Sequence, residues 1–448
     1  MYNLSEYEMR REMENKEISR TFCVYPWIEL IVGPTKHLKL CCIASSAVLD
    51  SKGVAYDCSK DNLKDYWNSE GLREVRKKML QGESISSCDH CYYQESIGRI
   101  SYRQSFNKQW LFSNYGKEIL KRVNQSRQND YRVEENPLYL DIRPGNLCNL
   151  SCRMCNPGNS SKIYKEQKEL LKTDSGFKDL INEDFFKGDE KEFHNWYKKE
   201  SLWKSILDWT PSLRQLYFTG GEPTLIKENW KFINYLQEKD FAKNIDLIFN
   251  LNCTQVPDKL INTFSHFKSV TITLSIDGYK EVQEYIRYPS KWKEIENNVI
   301  KLVKNRTRKC LFYLSPVVQV YNILNLVDIF DWRDRIEKNY KVNIDMSLIM
   351  CTGPEYFDIE NLPSSIKEQA LSRITSYERK YKKKNDFFFN TLSSIKNVLR
   401  KEEKKDLSKH LRNFFRYTSI LDRKRSNDFS KSFGELNELL NKDGRWKS

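Results

Sequence analysis

Hydrophobic positions change their rhythm along the chain. Between Asn136 and Met350, short runs rich in β-branched and aromatic residues recur: Leu138–Arg143, Leu213–Thr219, Ile245–Asn252, Val270–Ile276, Leu311–Leu314 with Val317–Val320, and Val342–Met350. These read as strands. Helical spacing separates them, for example around Asn229–Glu238 and Trp292–Val303. Strand–helix alternation calls for a parallel sheet covered by helices. Six such units are too few for a closed eight-stranded barrel, so an open, partial barrel is expected.

The flanks read differently. Residues 1–20 are polar and charged, a helix or an arm. Phe22–Val32 is aromatic and extended, Gly33-Pro34-Thr35 marks a turn, and Leu38–Ile43 completes a hairpin. Asn62–Leu80 and Tyr102–Val123 have helical spacing, and the polar stretch from Asn156 to Ile206 is helical in pattern. Beyond Pro354 the pattern is helical and basic. The expected domains are 1–135, 136–355 and 356–448.

At 448 residues, with 39% hydrophobic and 30% charged residues, the chain has the composition of a soluble protein with two or three domains. No apolar run approaches a membrane span, and the start lacks an apolar signal region, so a cytoplasmic location is expected. The net charge of +14 is uneven: residues 361–448 hold 22 Lys and Arg against 11 Asp and Glu, a balance of +11. A solvated helical face or an acidic partner would account for that excess.

Cysteine changes the picture most. Nine of the twelve fall into two groups, Cys23 to Cys91 and Cys148 to Cys155. Without a secretion signal, such bunching points to metal rather than disulfides. The first group holds Cys23, Cys41, Cys42, Cys58, Cys88 and Cys91, and its Cys88-x2-Cys91 knuckle with two cysteines beside the hairpin is the pattern of a four-thiolate site, with at least one of Cys42 and Cys58 a buried apolar cysteine. Spacing alone does not separate zinc from iron–sulfur. Cys148-x3-Cys152-x2-Cys155 follows a strand and offers three thiolates on one loop, leaving a fourth corner of a cubic cluster open. Gly220-Gly221-Glu222-Pro223 and Ser275-Ile276-Asp277-Gly278 also stand at strand ends, where parallel α/β folds bind ligands.

The three-cysteine loop followed by Gly-Gly-Glu-Pro resembles the radical S-adenosylmethionine (radical SAM) enzymes. Phe22-Cys23, Cys41-Cys42 and Cys88-x2-Cys91-Tyr92-x-Gln94-Glu95 with Gly98 resemble the auxiliary-cluster module called a twitch domain, a short relative of the SPASM domain. The resemblance implies a partial (β/α)6 TIM-like barrel with a small N-terminal Cys-rich domain, leaving the C-terminal helical appendage unexplained. It implies a [4Fe-4S] cluster on Cys148, Cys152 and Cys155, with S-adenosylmethionine (SAM) on the open iron. A second [4Fe-4S] cluster would sit on Cys23, Cys41, Cys88 and Cys91. Gly220, Gly221, Glu222, Asn252, Ser275, Asp277, Arg287 and Met350 are the expected SAM contacts. Arg287 is placed on the carboxylate and Glu222 on the ammonium; Asn250 and Asn322 are candidates for the ribose.

The expected activity is reductive cleavage of SAM, then hydrogen abstraction from a peptide, protein or small, sugar-like molecule. An auxiliary cluster would accept the electron, and a flavodoxin- or ferredoxin-type protein would donate the first one. The sequence departs from the family at Met154, where many relatives carry an aromatic, and in placing the cysteine module before the barrel. The alternatives are radical modification of RNA gripped by the basic tail, and a non-catalytic metal-binding interaction protein.

Overall fold

The computed structural model describes residues 20–96, 100–187, 195–381 and 386–447. The expectations for residues 1–19, Gly98 and 382–385, and for the side chain of Phe387, lie outside the described residues. The chain divides into two compact units. One comprises Met1–Gly145, Asp189–Gly220 and Ile226–Leu247; the other comprises Asn146–Gly188, Gly221–Leu225 and Ile248–Ser448. The fold is α/β, with a mostly parallel sheet, covering helices and a helical C-terminal region.

In the first unit, β1 (Glu29–Val32) and β2 (Leu38–Lys39) form the expected antiparallel hairpin. β1 also pairs in parallel with β3 (Tyr139–Ile142), which pairs in parallel with β4 (Gln215–Phe218). The order is β2-β1-β3-β4, with the start of β5 (Asp246–Leu251) beside β4. All four residues of β1 and of β3 are buried, the pattern of strands covered on both faces. The parallel pairing of β1 was not legible in the sequence.

Two helices expected as continuous are broken. Asn62–Leu80 becomes Leu63–Trp67 and Glu70–Gln81, because Ser69 accepts from the Leu72 amide and starts a new helix. Tyr102–Val123 becomes Tyr102–Leu111 and Gly116–Gln128. At that break a side chain on Gly116 would collide with the Leu111 carbonyl, 1.9 Å from where its Cβ would stand.

In the second unit the strands run β5, β6 (Ser269–Leu274), β7 (Cys310–Leu314) and then β9 (Ile344–Met346). β8 (Val317–Val318) precedes β9 in the chain and pairs in parallel with β10 (Ile349–Met350) as a separate two-stranded sheet. The sequence run Val342–Met350 is therefore two strands rather than one. Pro316 has no N–H to donate and divides β7 from β8; its carbonyl accepts from Ile349 instead. β6 buries Val270, Ile272 and Leu274 while Ser269, Thr271 and Thr273 stay half-exposed, so one face meets helices and the other is polar. Beyond β10, helices span Ser364–Lys380, Asp386–Leu399, Leu407–Arg425 and Gly434–Asp443. The third buries Leu407, Leu411, Phe414, Thr418 and Leu421, one face at helical spacing.

Candidate functional site

The three-cysteine loop lies in the second unit and is pinned along its length. Ser161 Oγ accepts from the Cys148 amide at 3.2 Å and donates to the Cys148 carbonyl at 3.3 Å. Ser160 caps the helix Ser161–Thr173 by accepting from Ile163 N, and its hydroxyl donates to the Leu150 carbonyl at 2.6 Å. The Ser151 and Arg153 amides donate to the Tyr288 and Ile286 carbonyls at 2.6 and 2.9 Å. Such pairing leaves the loop little backbone freedom. The serine pair was missed in the sequence, although a serine opening a helical pattern is a recognisable cap.

The three thiols feel one another's charge. Burial pushes Cys148 up to about 12, with the Cys152 thiolate adding to it. Burial raises Cys152 as well, while Arg287 favours its thiolate. Cys155 is raised by burial and then by Cys152 and Cys148. Thiols within Coulombic reach of one another, holding their protons until a cation replaces them, form a fitting donor set for a cluster. Among the described residues no three His, Cys, Asp or Glu side chains are arranged for a single metal ion. One ion holds thiolates at about 2.3 Å; a cube binds each on a different iron, a wider arrangement.

The strand-end residues form two networks. Glu222, 2% exposed, accepts from the Thr224 hydroxyl at 2.7 Å and from the Asn252 amide at 2.9 Å; burial raises its pKa. Asn252 Nδ2 donates to Asn149 in the cysteine loop, whose own Nδ2 donates to Thr254, both at 2.8 Å. Glu222 thus ties the Gly-Gly-Glu turn to the residues after β5, and through Asn252 to the cysteines. Gly220 sits at φ 112°, open to glycine, and a side chain on Gly221 would meet the Leu147 carbonyl oxygen at 2.2 Å. The space left by Gly221 is filled by the cysteine loop's own backbone.

In the second network, Asp277 accepts from Arg287 Nε at 2.6 Å and from Val317 N at 2.8 Å. Burial would lower the Arg287 pKa, but Asp277 and the loop thiols hold it above the usual value. Asn322 Nδ2 donates to the Asp277 and Val317 carbonyls, both at 2.8 Å, making it a fully buried cap rather than an open ribose contact. The half-exposed Ser275 donates its amide to Leu251, and the half-exposed Met350 lies on β10.

Residues 142–332 match the family model described as Radical SAM superfamily. Those residues are similar to that family. Three solved structures give partial matches. One is a histidine-tagged anSMEcpe with bound AdoMet, at 20% identity and TM-score 0.36, covering 54% of this chain and 60% of that one. Another is Streptococcus suis SuiB bound to S-adenosylmethionine, at 11% and 0.34, covering 71% and 67%. The third is Streptococcus suis SuiB, at 10% and 0.35, covering 87% and 77%. The chain spans 60% of the length of the first of these. No curated protein sequence matches it.

The first unit holds a small cavity lined by Cys23, Cys41, Cys88 and Cys91, with Arg103 and Phe106 among its walls. Cys88 and Cys91 stand at the start of the helix Asp89–Ser96. Cys23 is fixed from both sides: Asn107 accepts from Val24 N at 2.8 Å, and Asn107 and Arg103 donate to the Phe22 carbonyl at 2.9 and 2.7 Å. Arg103 also pairs with Glu95. Burial pushes Cys88 up to about 11, with Cys91 adding to it. Cys41 lines the cavity and Cys42 does not; burial raises the Cys42 thiol, with Arg143 opposing and Glu29 and Asp141 adding to the rise. Cys58 is buried beside Asp57 and does not line the cavity. The exposed His90 does.

Proposed function

We propose that the chain is a radical SAM enzyme of oxidoreductase type acting on a peptide, protein or small, sugar-like molecule. The observation that carries this reading is the loop Cys148–Cys155, pinned within the matched domain, whose thiols feel one another's charge. Bound there, a [4Fe-4S] cluster with SAM would supply one-electron cleavage of the cofactor to a 5′-deoxyadenosyl radical. The chain's own part is to hold three thiolates, exclude water and keep charges fixed around them. Asp277 holds Arg287 in place as the cation beside the thiols. Glu222 keeps the glycine turn against the loop. We assign SAM contacts to Gly220, Gly221, Glu222, Asn252, Ser275, Asp277, Arg287 and Met350.

We assign a second [4Fe-4S] cluster to Cys23, Cys41, Cys88 and Cys91, in a twitch-like region within residues 1–135. With four thiolates it would act as an electron carrier, and a flavodoxin- or ferredoxin-type donor would serve the first cluster. Residues 136–355 are the proposed catalytic domain, 356–448 a helical region, and the location cytoplasmic.

Anaerobic reconstitution tests the reading. About eight irons per chain and release of 5′-deoxyadenosine with dithionite and SAM are expected; a colourless zinc protein would overturn it. Replacing Cys88 and Cys91 together by Ala should leave about four irons, and an unchanged iron count would remove the second cluster.

A further inference from the structure

Arg153 stands between the second and third cysteines and is 1% exposed. Its guanidinium lies 3.7 Å from the centre of the Tyr285 ring and donates to Asp422 Oδ1 at 2.5 Å. Asp422 is itself held: the Tyr285 hydroxyl donates to the same oxygen and the Phe429 amide to the other, both at 2.7 Å. From the same helix, Leu407–Arg425, the Tyr417 hydroxyl donates to the Arg153 carbonyl at 3.0 Å. The Arg153 amide donates to Ile286. Side chain, carbonyl and amide of one residue are all engaged, the first two by the helix Leu407–Arg425, with only Nη1 of the guanidinium left unpaired.

We propose that Asp422 and Tyr417 are positioning residues for the cysteine loop, which makes the C-terminal helix part of the cofactor site. The proposal rests on the reading of that loop as the cluster and SAM site. The matched domain ends at residue 332, so both residues lie beyond it. Stability alone does not call for this arrangement, since a well-packed apolar pair usually replaces a buried ion pair without loss. A charge pair with fixed directions does what an apolar pair cannot: it sets where the turn between Cys152 and Cys155 sits. Sites that bind metal need ligands held to about 0.5 Å by supporting contacts.

The test uses the full chain. Tyr417→Phe removes one hydroxyl, Asp422→Asn removes the charge, and Arg153→Met with Asp422→Asn removes both partners. In unloaded protein, amide exchange across 148–156 should quicken about tenfold in Asp422→Asn, the scale of one hydrogen bond to a charged group, and about fivefold in Tyr417→Phe, the scale of a neutral one. In reconstituted, dithionite-reduced protein, SAM should change the electron paramagnetic resonance signal. Asp422→Asn should need about tenfold more SAM for half that change and Tyr417→Phe about fivefold more. The double variant should recover the thermal stability of the wild type but not its SAM response.

Wild-type exchange and SAM titration in both single variants would overturn the proposal, as would a double variant that recovers both. A wild-type chain whose signal ignores SAM would overturn the reading of the loop as a SAM site. Exchange in the unloaded protein would still judge the clamp.

Discussion

A methyl group on Gly221 would stand 2.2 Å from the Leu147 oxygen and 2.9 Å from the Asn146 carbonyl carbon. Neither neighbour is a flexible tip, so the cysteine loop itself would have to move. Gly221→Ala should therefore cost about 1–3 kcal/mol of stability, the usual scale of overpacking, and lower the iron retained after reconstitution. Glu29 gives a pH-dependent case. It is 5% exposed with one carboxylate oxygen unpaired, and burial and then Asp141 raise its pKa while Arg143 opposes them. A carboxyl raised in the fold contributes stability below its unfolded pKa of about 4.3, and that contribution is lost as pH rises through the folded value. Glu29→Gln should match the wild type near pH 4 and melt at a higher temperature at pH 8, read from thermal unfolding across pH. At this scale the sequence showed what a side chain announces by itself: cysteine spacing and paired glycines. Arg153, Arg103 and Asn107 were missed because their roles depend on partners 81 to 269 positions away.

Helices and strands were legible where pattern is local, and less so where a cap or a strand break decides. Ser69 divided a helix that periodicity ran together, and the run Val342–Met350 divided into β9 and β10. The parallel union of β1 with β3 joins segments about 110 residues apart in sequence, a choice set by both strands' burial and written in neither alone. The helix Leu407–Arg425 allows a direct comparison of two adjacent cations. Arg425 donates through two nitrogens to Glu166 at 2.8 and 2.5 Å, and its side chain is 1% exposed. Lys424 pairs with Glu169 at 2.5 Å in solvent, its side chain 40% exposed. Arg425→Met should cost about 3–5 kcal/mol, since it strands a buried carboxylate. Lys424→Met should cost nothing measurable. Denaturant unfolding of the two variants checks the contrast, and equal losses would show that burial does not set the difference.

For the molecule as a whole, the net charge of +14 is the feature most open to misreading. The sequence places most of the excess in the last 88 residues and leaves a nucleic-acid partner as an alternative. Four cations of that segment face acids outside it: Arg416 meets Asp179, Arg423 meets Asp174, Lys424 meets Glu169 and Arg425 meets Glu166. Cations already paired have less to offer phosphates. Binding to single-stranded RNA at physiological salt should be no tighter than the non-specific range of about 10⁻⁴–10⁻⁶ M, and a salt titration by filter binding would show it. Fold class was legible because strand–helix alternation repeats six times. Charge pairing was not, because a count of residues carries no distances.

The contact between Arg153 and Asp422 spans 269 positions in the chain. At about 5–20 residues per second, a ribosome takes about 15–50 s to travel from the cysteine loop to its clamp. During that interval the loop lacks the bonds to Tyr417 and Asp422. A cell that matures this protein would therefore do best to deliver iron and sulfide after synthesis ends, when the last helices have closed over the turn.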